Sequence, residues 1–80
     1  MATDAEIETF CRDRLSSILD IEPARITPET TFASLGLDSA MAVHFVLEAE
    51  EWFAVELYPA VTVDYPTVGA FAGYLAQLQA

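Results

Sequence analysis

Eighty residues suffice for one small domain, 1–80, and a chain this short buries only about 60% of the surface its unfolded form exposes, so most of its 54% hydrophobic residues are needed in a core. Thirteen acidic residues face Arg12, Arg14 and Arg25, with no lysine, leaving a net charge of −10 that argues against nucleic acid and anionic membranes as partners and favours proteins with basic patches. Cys11 is the single cysteine, which excludes an internal disulfide and a thiolate zinc cluster. No apolar run approaches the ~18 residues of a membrane span, and the acidic N-terminus lacks the basic and apolar regions of a signal peptide, so a cytoplasmic protein is expected.

Thr3 and Glu6 have the spacing of a capping box, after which Ile7, Phe10, Cys11, Leu15, Ile18 and Leu19 recur at helical intervals. A first helix is expected over about 4–19, with Glu8, Asp13 and Ser16 on its solvated face and Cys11 in the core. Between Asp20 and Asp38 the period fails at Pro23 and Pro28, and Thr27, Thr30, Thr31, Ser34 and Gly36 supply turn chemistry. Loops longer than ~12–15 residues are generally functional or disordered. Ile21, Ile26, Phe32, Leu35 and Leu37 are spaced to pin this one to a core, so it is read as ordered and leading into a working site.

Over residues 39–53 a helical projection gathers Ala42, Phe45, Val46, Ala49 and Phe53 on one face. Roughly opposite lie Ala40, Val43 and Leu47, bordered by His44, Glu50 and Glu51. A second apolar stripe with a charged rim suits partner docking, apolar contact giving affinity and charge steering the encounter. Glu48, Glu50 and Glu51 read first as a solvated face, Trp52 as lying at its margin with the core. Pro59 and Pro66 bound a short third helix or turn over 60–65, although its β-branched residues also permit a strand. Thr67 caps a last helix with Val68, Phe71, Ala72, Leu75 and Leu78 inward. Tyr58, Tyr65 and Tyr74 read as packing residues. The fold class is all-α: a small four-helix bundle with three main helices, one short third helix and a long ordered loop between the first two.

The chemical candidate is Leu35-Gly36-Leu37-Asp38-Ser39-Ala40, which sets a serine where a glycine-containing loop enters a helix. Unpaired N–H groups and a partial positive charge at that terminus favour a phosphate on Ser39. The structural alternative is that Ser39 or Asp38 only caps the helix. Ser39, His44 and the carboxylates supply the residue types of a hydrolytic triad, but no G-x-S-x-G elbow surrounds Ser39 and a helix turns Ser39 and His44 about 140° apart. The acidic residues do not form a calcium loop of D-x-[DN]-x-[DN]-G type.

Leu35-Gly36-Leu37-Asp38-Ser39, followed by Val43, an acidic stretch ending in Phe53, and Asp64-Tyr65-Pro66-Thr67, resembles the acyl carrier proteins, and most of all the carrier domains of modular polyketide synthases. The resemblance covers nearly the whole chain in matching order. It implies a non-catalytic carrier, with 4'-phosphopantetheine attached covalently to Ser39 by a separate phosphopantetheinyl transferase in a magnesium-dependent reaction, and Asp38 helping to place the metal there. It also implies no resident metal and no catalytic residue in this chain. Acyl or polyketide intermediates would ride the arm as thioesters. Partners would be the transferase, an acyl-loading enzyme, and a ketosynthase or other synthase domains with basic docking patches, met by Ala40, Met41, Val43, His44, Leu47, Glu50 and Glu51 of a monomer. The chain departs from the family at Ala40, where leucine is common, at His44, where an acidic residue is frequent, and at Ala54, where glycine often follows the phenylalanine. His44 removes an expected negative charge from the docking face. A peptidyl carrier is the close alternative, although Leu37 occupies the place of that class's usual second glycine; a helical adaptor without the arm is the other.

Overall fold

The computed structural model describes residues 2–79 and contains four α-helices: α1 (Asp4–Leu19), α2 (Ser39–Phe53), α3 (Val61–Asp64) and α4 (Val68–Gln79). Among the described residues there is no strand, only an isolated bridge between Thr31 and Thr67. The architecture is the expected all-α bundle with a short third helix.

Each long helix begins where its side chains can satisfy the unpaired N–H groups of a first turn. At α1 the capping box is complete: the Thr3 hydroxyl accepts from the Glu6 N–H at 3.2 Å, and the Glu6 carboxylate accepts from the Thr3 N–H at 2.8 Å. At α4 the Thr67 hydroxyl accepts from the Ala70 N–H at 3.1 Å. Helix α1 ends at Asp20, in the left-handed region at φ 55°. Ser16 secures that reversal by donating its hydroxyl to the Ile21 carbonyl at 2.6 Å. Ser16 and Glu8 are half-buried, so of the expected solvated face only Asp13 is exposed.

The five phenylalanines carry the core. Phe45 and Phe71 are fully buried with ring centroids 5.2 Å apart, Phe32 meets both at 5.8 Å, and Phe10 packs edge-on to Phe53 at 4.9 Å. Ile7, Cys11, Leu15, Val61 and Leu75 close the remaining space, and no polar residue is buried among the described residues. Helix α1 packs chiefly against α4 and less against α2. Ala42 is only half-buried, and Leu78 is 40% exposed rather than inward, because it lies about 60° round α4 from the buried Leu75, at the edge of the inward face.

The long loop is ordered. A 3-10 turn at Pro23–Arg25 precedes the buried Ile26, and Phe32 is buried beneath the next turn. Hydrogen bonds from Phe32 N–H to the Pro66 carbonyl (2.9 Å), Val68 N–H to Thr30 (3.0 Å) and Gly69 N–H to Pro28 (2.8 Å) tie it to the α3–α4 junction. Gly69 is required there: a Cβ would stand 2.9 Å from the Pro28 carbonyl oxygen. The loop therefore delivers its last residues to α2 from a fixed position.

Candidate functional site

The approach to α2 is built from anchors and a turn. Leu35 and Leu37 are half-buried against the core, and their N–H groups both donate to the Phe32 carbonyl at 3.2 Å. Gly36 lies between them at φ 77°, a left-handed conformation that costs glycine nothing. Asp38, extended at φ −82° and ψ 177°, is the N-cap of α2: its Oδ1 accepts from the Met41 N–H at 2.8 Å while its carbonyl accepts from the Ala42 N–H at 2.8 Å. Capping thus falls to Asp38 rather than Ser39.

Ser39 is the first residue of α2, and it is exposed. Its hydroxyl makes no hydrogen bond among the described residues, and neither do the N–H groups of Ser39 and Ala40. No acidic residue lies in the first turn of α2. The terminus therefore presents a free hydroxyl beside two unpaired N–H groups at the positive end of a 15-residue helix, a setting suited to an oxyanion bonded to that hydroxyl. The residue types of a hydrolytic triad are not brought together here: His44 Nε2 lies 2.6 Å from Glu48 Oε1 and makes no hydrogen bond to Ser39. No group of three metal-ligating side chains is assembled among the described residues.

Along α2, Ala40 is exposed, Met41 is 37%, Val43 50% and Leu47 56% exposed. A cleft of about 110 Å³ opens beside them, between Val43, Val46, Leu47, Leu57 and Pro59. The acidic residues of α2 are less uniform than a solvated face. Glu51 is exposed, but Glu50 accepts from the Leu57 N–H at 2.8 Å and fastens the segment after α2 to the helix. Glu48 is held by both His44 and Arg14, whose Nη2 donates to it at 3.0 Å. Arg14 received no role from sequence reasoning, since its meeting with α2 depends on how the two helices pack. Arg12 donates to the Ile26 carbonyl at 3.3 Å.

The three tyrosines form one cluster, Tyr65 stacked on Tyr74 at 4.4 Å and Tyr58 edge-on to Tyr74 at 6.2 Å, consistent with packing. Tyr58 donates to Asp64 at 2.7 Å, and that bond pushes its hydroxyl pKa up to about 12. Trp52, placed by its spacing at the edge of the core, is 72% exposed with one face resting on Phe10. Ala54 ends α2 in the left-handed region at φ 53°, which supplies a physical reason for glycine at that place. No helix of the described residues is long and apolar enough to cross a membrane.

Residues 12–75 match the family described as "Phosphopantetheine attachment site". The polyketide synthase PksN of Bacillus subtilis is 34% identical over 71 residues, 89% of this chain and 1% of that protein. A phenolphthiocerol/phthiocerol polyketide synthase of Mycobacterium tuberculosis is 33% identical over 73 residues, 91% of this chain and 4% of that protein. The chain thus spans only a few per cent of the length of these curated relatives. Among solved structures, a free-standing peptidyl carrier protein from a secondary metabolic pathway of Acinetobacter baumannii superposes with a TM-score of 0.90 at 32% identity, covering 96% of both chains.

Proposed function

The chain belongs to the phosphopantetheine attachment family, whose members are carrier domains bearing covalent 4'-phosphopantetheine rather than catalysts, and from that premise we propose that it is an acyl carrier of a polyketide-type pathway with the arm on Ser39. The observation that carries the assignment of Ser39 is its exposed, unbonded hydroxyl at the first position of α2, directly after the capping Asp38.

Ser39 Oγ would be the acceptor oxygen: it bonds the phosphorus of the pantetheine-bearing phosphate of coenzyme A, the pyrophosphate bond breaks to release adenosine 3',5'-bisphosphate, and the hydroxyl proton passes to a base of the transferase. The Ser39 and Ala40 N–H groups, left free by the cap, would lower the cost of a phosphate's charge next to an acidic protein. Asp38 spends Oδ1 on the Met41 N–H, and its carboxylate would also help to place the magnesium of the transfer complex. When attached, the arm supplies a terminal thiol that holds an acyl group as a thioester. The anchors Leu35 and Leu37 keep the attachment point rigid, so reach comes from the arm rather than from the loop.

Ala40, Met41, Val43 and Leu47 provide the apolar part of the docking face, with His44 and Glu51 on its rim, while Glu50 contributes by holding the cleft wall at Leu57. The phosphopantetheinyl transferase, an acyl-loading enzyme and a ketosynthase or other synthase domain meet this face in turn, in the cytoplasm, steered by the net charge of −10. The acyl reading is supported by Leu37 within the motif and by the two polyketide synthases among the relatives. A peptidyl carrier is the second reading, favoured by the likeness to the Acinetobacter baumannii protein. Incubation with coenzyme A, magnesium and a broad-specificity transferase, read by intact mass, is expected to add one phosphopantetheine to the wild type and none to Ser39→Ala. Loading of the product by malonyl transfer rather than by aminoacyl adenylation separates the acyl from the peptidyl reading.

A further inference from the structure

Trp52 is the most conspicuous side chain that the carrier reading leaves unused. Its indole stacks on Phe10 with centroids 5.5 Å apart and planes inclined 30°, yet 72% of the residue stays in water. A tryptophan is among the largest apolar surfaces a protein can bury, and this one stands in an open groove between α1 and α2. The groove is charged. It consists of two adjoining hollows that share Phe10, Arg14 and Trp52: Glu48 and Glu51 line one, Glu6 and Asp13 the other, and the basic Arg14 is already paired with Glu48. Glu51 and Asp13 are exposed and have no ion-pair partner among the described residues.

This groove is separate from the face around Val43 and Leu47. Nine residues along a helix turn Trp52 about 180° from Val43, and thirteen residues put it about 20 Å along the axis from Ser39. A partner seated on Trp52 would leave the attachment serine and the apolar Val43–Leu47 stripe free, sharing only Glu51 with the rim of that first face.

We propose that the Trp52 groove is a second protein-docking surface, which takes an arginine side chain of a basic partner segment. The guanidinium stacks on the open indole face while Glu51 and Asp13 flank it. Three features select that occupant. An aromatic face draws cations, and the planar, weakly hydrated guanidinium stacks better than an ammonium. The flanking carboxylates on both helices give the charge complement. A second copy of this chain is disfavoured, since each carries a net charge of −10.

Trp52 is the only tryptophan, so its indole N–H gives a single, assigned NMR signal for the test. The full chain is titrated with an acetylated, amidated tetra-arginine peptide and followed by indole and backbone amide shifts. Shifts are expected to centre on Trp52 and the neighbouring residues of α1 and α2, with tetra-lysine binding more weakly. Trp52→Ala is expected to weaken binding about tenfold. The double variant Asp13→Asn/Glu51→Gln, at two exposed positions without an ion-pair partner among the described residues, is expected to weaken it about fivefold, whereas Glu22→Gln/Glu29→Gln, which removes the same charge from the long loop, does not. Equal weakening by the two double variants, unchanged binding by Trp52→Ala, or shifts centred on Val43 and Leu47 would overturn the proposal. Concentration-dependent Trp52 shifts without peptide would also overturn it, in favour of self-association. The readout needs no phosphopantetheine, so its failure is distinct from a failure of the carrier assignment.

Discussion

Asp38 carries two tasks that one pair of substitutions separates. Its Oδ1 accepts the Met41 N–H at 2.8 Å, the side-chain cap at the start of α2. Asp38→Ala deletes that bond, which costs ~1 kcal/mol for an exposed N-cap. In a domain of this size such a loss lowers Tm by about 4–8 °C. Asparagine caps a helix about as well as aspartate, so Asp38→Asn is expected to stay within ~0.5 kcal/mol of wild type while lacking the carboxylate charge. Thermal unfolding followed by circular dichroism, beside initial rates of phosphopantetheine transfer, gives both readings on the same samples. The expected pattern is a lowered Tm for alanine only and a slowed transfer for both. Transfer by Asp38→Asn at the wild-type rate would show that the carboxylate serves as a cap and nothing more; an unchanged Tm for Asp38→Ala would remove the cap itself.

Ala54→Gly is expected to stabilise the protein by ~1 kcal/mol, because an L-residue at φ 53° carries a left-handed penalty that glycine lacks; a lower denaturant midpoint would refute it. The Thr3 backbone and side-chain hydrogen bonds hold the Glu6 carboxyl below its ordinary value of 4.5. A pKa lowered by folding contributes stability above 4.5 that is lost as pH falls through the folded value. Glu6→Gln preserves the capping geometry but not the titration, so its urea midpoint should fall less steeply with acid than that of wild type. Burial, with a smaller contribution from Glu8, pushes the Cys11 thiol up to about 12, leaving little thiolate to react near neutrality. Labelling by a thiol reagent should therefore proceed only at the rate of unfolding; labelling at the rate of a free cysteine would contradict the buried placement.

What could be read from the chain was what local chemistry decides. The capping box at Thr3 and Glu6 and the repeat from Ile7 to Leu19 set α1 without reference to the rest of the molecule, and the periodicity after Ser39 did the same for α2. The loop was legible as ordered because Ile26 and Phe32 are large apolar residues with no other place to go. The partners of the polar residues were not legible. Glu50 and Glu48 look alike in sequence, yet one binds the Leu57 N–H and the other Arg14 and His44, and only the packing of α1 on α2 and the path after Phe53 determine which. Leu78 continues the apolar period of α4 but falls at the edge of its inward face and stays 40% exposed. Glycine's frequency at the place of Ala54 was visible as a departure, and its reason only in the backbone angle.

The measurement closest to the central claim is the mass of the chain as isolated from the cells that make it, followed by fragmentation of the peptide spanning residues 35–40. Phosphopantetheine on Ser39, alone or extended by an acyl group, is the predicted result. A chain that accumulates with Ser39 unmodified, or with the arm on another residue, would contradict the account.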